Sequence, residues 1–124
     1  DVRLVGSLDG DVLRALCHRA DALAHAATAV PRKAEGFGLV IAEAAACGLP
    51  TVATRIDAIP EVARDEVNAI LVDDGDVASL SRALARIAED PALRARLSEG
   101  ALQVAAGCDW SVAAAAVAND PPPR

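Results

Sequence analysis

Four short apolar runs, residues 2–6 (VRLVG), 21–26, 51–54 (TVAT) and 69–72 (AILV), are separated by stretches whose apolar residues recur at helical spacing. Strands alternating with helices point to a parallel sheet, because parallel neighbours can be joined only by a long crossover, usually a helix. The spacing predicts a helix over residues 11–19 with Val12, Leu13, Leu16 and Cys17 on one face. It predicts another over 39–47 (LVIAEAAAC), where Gly48 is the stop signal and Pro50 prevents continuation. A short helical turn is expected at Pro60, and Asp76 is placed to cap a long helix through Ile87 that turns Leu80, Leu84 and Ile87 inward. Then the alternation stops. Pro91 suits the first turn of a helix over 92–106, an alanine-rich helix follows Trp110, and the NDPPPR of 119–124 cannot continue it. The expected fold class is therefore α/β: a parallel sheet with flanking helices that ends in two or three helices, over residues 1–118, with 119–124 a tail or linker.

The side chains suit that architecture. The chain of 124 residues is 53% hydrophobic but only 2% aromatic, and about 30 alanines supply much of the apolar fraction, which favours close packing of helices onto a sheet. No apolar stretch approaches the roughly 18 residues of a membrane span, and no basic segment precedes an apolar one at the start, so no transmembrane segment or secretory leader is expected. The absence of methionine leads us to expect a piece of a longer protein, or a processed product, that carries part of an active site.

The net charge of −6 has the wrong sign for a nucleic-acid surface, so no nucleic-acid partner is expected. The acidity is local: Asp57, Glu61, Asp65, Glu66, Asp73, Asp74 and Asp76 face only Arg64 within their stretch. Cys17, Cys47 and Cys108 are odd in number and widely spaced, so they read as small buried hydrophobes in a reducing compartment. His18 and His25 lack a third ligand type beside them, and no metal is expected.

In open parallel sheets the ligand sits beyond the carboxyl ends of the strands, where loops enter helices. The loop before the 39–47 helix reads Glu35, Gly36, Phe37, Gly38, Leu39. Two glycines flanking one aromatic at a helix start let the backbone approach a ligand closely while free N–H groups point outward, which makes an anion site from main chain. Glu35 precedes the glycines and Glu43 lies about one turn into the helix, so both carboxylates could reach one ligand bound there. Carboxylates only accept hydrogen bonds, and sugar hydroxyls are natural donors to them. Arg32, Lys33 and Arg55 read as solvated loop charges, and His25, Trp110 and the Phe37 ring as packing elements.

The run EGFGLVIAEAAACGLPTVAT, followed by IPEV, closely resembles the C-terminal domain of retaining glycosyltransferases of the GT-B fold, the group 1 or family 4 class. The likeness continues through Asn68, AILV, Gly75-Asp76, DPALRARL and the late Trp110-Ser111, and so covers nearly the whole chain. The resemblance implies a Rossmann-like, partial nucleotide-sugar-binding domain over residues 1–118, the C-terminal half of a GT-B glycosyltransferase. It implies that Glu43 binds the nucleotide's ribose hydroxyls and that Glu35, the catalytic candidate, sits beside the donor sugar near the reacting centre. The amides of Phe37, Gly38 and Leu39, with Gly36 in the same loop, would hold donor sugar and pyrophosphate, and Glu61 would lie at the pocket's edge.

The substrate implied is a nucleoside-diphosphate sugar, with no cofactor and no metal, since a helix dipole and basic side chains take the diphosphate's charge. The acceptor, a sugar, lipid or small molecule, would be engaged by an N-terminal domain expected upstream of this chain, as are the family's phosphate-binding Arg and Lys. The enzyme is expected to be cytoplasmic and at most peripheral to a membrane, and the isolated chain to be inactive. Asp57 and Ala58 stand where the family usually has a glycine pair, and Glu66 and Ala69 where it often has glycine. These departures motivate the alternative of a degenerate, non-catalytic binding or structural module. A dehydrogenase half is disfavoured, since no G-x-G-x-x-G follows the first run.

Overall fold

The structure, a computed structural model, describes residues 2–29 and 38–108. Three strands, β1 (Leu23–His25), β2 (Thr51–Thr54) and β3 (Ala69–Val72), form a sheet in the order β1-β2-β3. Both pairings are parallel, with Val52 opposite Ala24 on one side and Ile70 on the other. Helices α1 (Gly10–Cys17), α2 (Leu39–Ala46), α3 (Ile59–Val62), α4 (Val77–Glu89) and α5 (Pro91–Ala106) complete the described residues. The α/β expectation holds, and the described part ends in two helices. The alanine-rich segment after Trp110 and the tail at 119–124 lie outside the described residues, as does the loop 30–37.

Every residue of β2 and β3 is buried, which is why TVAT and AILV lack a polar alternation. The period-2 geometry of a strand instead divides them between two cores. Ala53, Ala69 and Leu71 join Ile41 of α2, Ile59 and Val62 of α3, and Val104 of α5. Val52, Ile70 and Val72 join Ala83 and Ile87 of α4 and Leu93 and Leu97 of α5. Each such fully buried aliphatic side chain contributes about 1.5–3 kcal/mol of transfer free energy. Alanines at 44, 45, 53, 63, 69 and 83 are all buried and let backbones approach where larger side chains would hold them apart.

Helix boundaries follow local chemistry. Asp9, Asp76 and Asp90 cap α1, α4 and α5, their carboxylates accepting from the backbone N–H of Val12, Ser79 and Leu93 respectively. Gly48, at φ +70°, ends α2: Leu49 N–H reaches back to Ala44 O and Gly48 N–H to Ala45 O, the paired closure of a Schellman motif.

Three expectations are corrected. Residues 2–6 form no strand, and Val2 and Leu4 are 92% and 97% exposed. A strand exists only as one side of a pairing, and among the described residues no strand lies beside this segment. The cysteines are not buried hydrophobes: Cys17 and Cys47 are half-buried and Cys108 is exposed, because the first two sit at helix ends bordering a cleft and the third follows α5. The predicted first helix is also shorter than 11–19, and none of its residues is fully buried.

The turn into β3 is held by polar side chains. Asn68 is 1% exposed; its amide oxygen accepts from Arg64 N–H at 2.8 Å and its nitrogen donates to Val62 O at 3.1 Å. Replacing it by alanine would leave both backbone groups short of a partner in the interior. Asn68→Ala is therefore expected to lower unfolding free energy by about 2 kcal/mol, as read from urea denaturation. Nearby, Glu66 stands at φ +57°, a left-handed conformation that disfavours side chains. Its carboxylate is gripped by Arg96 at 3.0 Å and Arg86 at 3.4 Å, which offsets that strain.

Candidate functional site

Connection order fixes where α2 begins. Since β1 and β2 run parallel, the chain leaves the carboxyl end of β1 and returns antiparallel through α2, so the first turn of α2 stands at the carboxyl edge of the sheet. Gly38 is its N-cap, at φ +71° and ψ +49°, with no side-chain cap. A Cβ there would meet Ile41 Cδ1 at 3.2 Å in a conformation that only glycine adopts freely. Gly38 O accepts from Ile41 N–H at 2.8 Å, which closes the first turn. The amides of Leu39 and Val40 have no acceptor one turn earlier in the helix, and both side chains are exposed.

Glu43, one turn after Leu39, is exposed. It lines a groove of about 250 Å³ between α1 and α2 with Gly10, Leu13, Arg14 and Cys17. A second, more apolar cleft of about 180 Å³ runs alongside, with Leu13, Leu23, Val40 and Leu49 beside the same Glu43. Glu61 is exposed in the first turn of α3, which follows the carboxyl end of β2. Gly38, Leu39 and Glu61 thus belong to the connections at that edge, with Glu43 one turn deeper along α2. Glu35, Gly36 and Phe37 lie outside the described residues, so the spacing of the two glutamates is placed only at its Glu43 end.

A further cleft, of about 150 Å³, opens at the carboxyl ends of all three strands and is lined by Thr28, Thr54, Asp73, Asp74, Asp76 and Leu80 among others. The local acidity is legible in the sequence but this cleft is not; the available signal is that each strand's following connection converges on one edge. Asp74 accepts from Ala29 N–H at 3.1 Å, which ties the segment that follows β1 to the turn after β3. Asp76 is committed elsewhere: hydrogen bonds from the Ser79 hydroxyl and then the Ser79 N–H hold its carboxyl below the usual carboxylate range. Its contribution to α4 is therefore present above the ordinary Asp pKa and is lost as pH falls through the lowered value.

Comparison with known proteins bears on this geometry. The profile of the family described as "Glycosyl transferases group 1" matches residues 1–104. D-inositol 3-phosphate glycosyltransferase of Salinispora arenicola is 41% identical over 109 residues, 88% of this chain and 23% of that protein. Sucrose-phosphate synthase from Thermosynechococcus elongatus superposes with a TM-score of 0.77 at 29% identity, over 92% of this chain and 28% of that one. HepE of Anabaena in complex with UDP gives 0.68 at 28% identity, over 83% of this chain and 29% of that one, and it has also been solved with UDP-glucose. The chain spans about a quarter of the length of the curated relatives it matches.

Proposed function

Because the chain belongs to the family of group 1 glycosyl transferases, we propose that it is the donor-binding segment of a longer enzyme. That enzyme moves a glycosyl group from a nucleoside-diphosphate sugar to an acceptor, with retention at the anomeric carbon. The observation that carries the reading is the start of α2 at the sheet's carboxyl edge, where a left-handed glycine N-cap precedes the exposed Leu39 and Val40, with Glu43 one turn behind. A structural relative solved with UDP and with UDP-glucose supports a nucleotide-sugar ligand.

In this reading Glu43 accepts from ribose hydroxyls and Glu35 stands beside the donor sugar. Gly36 and the amides of Phe37, Gly38 and Leu39 hold the sugar and pyrophosphate, and Glu61 borders the pocket. The leaving diphosphate is stabilised by helix-end amides and by cations from elsewhere in the enzyme, so the reading requires no metal. Catalysis is then mainly positioning and charge stabilisation. The acceptor, a sugar, lipid or small molecule, binds a further domain, and this chain alone does not turn over. The enzyme works in the cytoplasm or against its membrane. Among the described residues no helix is long and apolar enough to cross a membrane.

A degenerate module is the rival reading. Asp57 and Glu66, which stand where glycine is common in the family, adopt φ +45° and +57°, the left-handed region that favours glycine, whereas Ala58 is right-handed at φ −85°. The two left-handed positions support a site still shaped for ligand. The test is turnover by the full-length gene product with UDP-, GDP- and ADP-sugars, the anomeric proton of the product being followed by NMR. Transfer with the donor's anomeric configuration is expected; inversion would overturn the retaining step, and absence of turnover with every donor would favour the degenerate module.

A further inference from the structure

The segment after β1 and the turn after β3 meet at the carboxyl edge of the sheet. β3 is buried along its whole length, and Arg55 N–H donates to Val72 O at 2.8 Å, which carries the β2–β3 pairing up to that edge. The turn that follows is closed by its own hydrogen bonds. Asp76 N–H donates to Asp73 O at 3.2 Å and Val77 N–H to Gly75 O at 3.0 Å, while Gly75 takes a left-handed φ of +76°. Asp76 caps α4 through Ser79. Asp74 therefore stands on a turn fastened to a buried strand on one side and to a 13-residue helix on the other, and from there its carboxylate accepts from Ala29 N–H. A backbone N–H donating to a carboxylate makes a charge-assisted bond, roughly twice as strong as a neutral one.

We propose that Asp74 is a positioning residue for the nucleotide sugar: by holding Ala29 it fixes where the chain leaves the sheet on its way from β1 to Gly38. The proposal rests on the donor-binding reading above. β1 itself ends where His25 pairs with Ala53, and the bond to Asp74 moves the fixed point along the chain from His25 to Ala29. A shorter connection between two fixed points has fewer arrangements to sample, so less ordering is left to be done when the donor binds at the start of α2. Asp74 touches neither donor nor reacting atoms in this account; it acts through the backbone of Ala29.

The negative charge of the turn is not the device. Asp73, Asp74 and Asp76 line one cleft, but they are used differently. The Asp76 carboxylate is taken by Ser79, and Asp73 closes the turn with its backbone oxygen rather than its carboxylate. Among the described residues, the Asp74 carboxylate is the one of the three that reaches the segment after β1.

The test uses the full-length gene product and whichever UDP-, GDP- or ADP-sugar it turns over fastest. Asp74→Ala is expected to lower kcat/KM roughly tenfold, mainly through KM, and to speed amide hydrogen exchange in the peptide that spans Ala29. Asp74→Asn keeps an oxygen that accepts from Ala29 N–H, so it should restore both readouts toward wild type. Asp73→Ala removes the same charge from the same cleft and should leave both unchanged. Asp73 and Asp74 are exposed, so the variants should fold, with circular dichroism as the check. Faster exchange at Ala29 with unchanged kcat/KM would reduce the bond to a structural one and overturn the proposal. Equal losses in Asp73→Ala and Asp74→Ala, or no rescue by asparagine, would assign the effect to charge and overturn it too. If Glu43→Ala raises KM while Asp74→Ala does not, the donor reading stands and the positioning role falls. Absence of turnover with every donor removes the reading and this role with it.

Discussion

Gly100→Ala is expected to destabilise the fold by about 3 kcal/mol, although helix propensity alone predicts a gain of about 1 kcal/mol from the same change. Gly100 lies inside α5, where an added Cβ would stand 2.0 Å from the carbonyl oxygen and 2.7 Å from the carbonyl carbon of Val67. Those are backbone atoms and cannot rotate aside, so α5 must withdraw from the turn before β3. Leu93 and Leu97 on this helix pack into one core and Val104 into the other, so a shift of α5 loosens both faces of the sheet. Overpacking outweighs propensity, which fixes the sign. Urea denaturation of wild type and variant reads the difference, and an unchanged or higher midpoint would contradict the close approach. Asn68 adjoins the same turn, so the losses for Gly100→Ala and Asn68→Ala should combine non-additively.

Glu43→Ala is expected to raise the Michaelis constant for nucleotide sugar by roughly 10- to 100-fold in the full-length gene product, corresponding to about 1.5–3 kcal/mol for hydrogen bonds to a charged acceptor. Stability should hardly change, because Glu43 is exposed and alanine is the better helix former. The two readouts separate the roles: a residue needed only for folding would lower the melting temperature, whereas one that binds ligand moves the Michaelis constant alone. An unaltered Michaelis constant would remove Glu43 from the ribose. Glu43→Gln keeps one acceptor oxygen without the charge, so it should fall between alanine and wild type.

What the sequence disclosed of this fold depended on how local the cause was. TVAT and AILV are legible because strands buried on both faces read as unbroken apolar runs. The cap at Asp76, the proline start of α5 and the glycine stop of α2 are legible because each acts within one turn of its residue. Residues 2–6 read as a strand on composition, but pairing is a property of a neighbour and no local signal reports one. Cys17 and Cys47 border one cleft from two separate helix ends, and neither cysteine's surroundings in sequence announce the other. Glu66 is similar: its left-handed backbone looks unsuited to a glutamate until Arg96, far along the chain, is seen holding its carboxylate. For the site, the glycine-rich entry to α2 and the placement of Glu43 were legible from motif and spacing. The cleft lined by Thr28, Thr54 and Asp74 was not, since it forms only when the three strand ends converge.

Calorimetric titration tests whether this domain holds a nucleoside diphosphate at the edge where α2 begins. Full-length gene product titrated with UDP, GDP and ADP should bind at least one of them saturably. The Glu43→Ala variant, folded as judged by circular dichroism, should bind the same nucleotide at least roughly tenfold more weakly, a loss of about 1.4 kcal/mol. No binding of any of the three at millimolar concentration, or equal affinity in wild type and variant, would contradict the account.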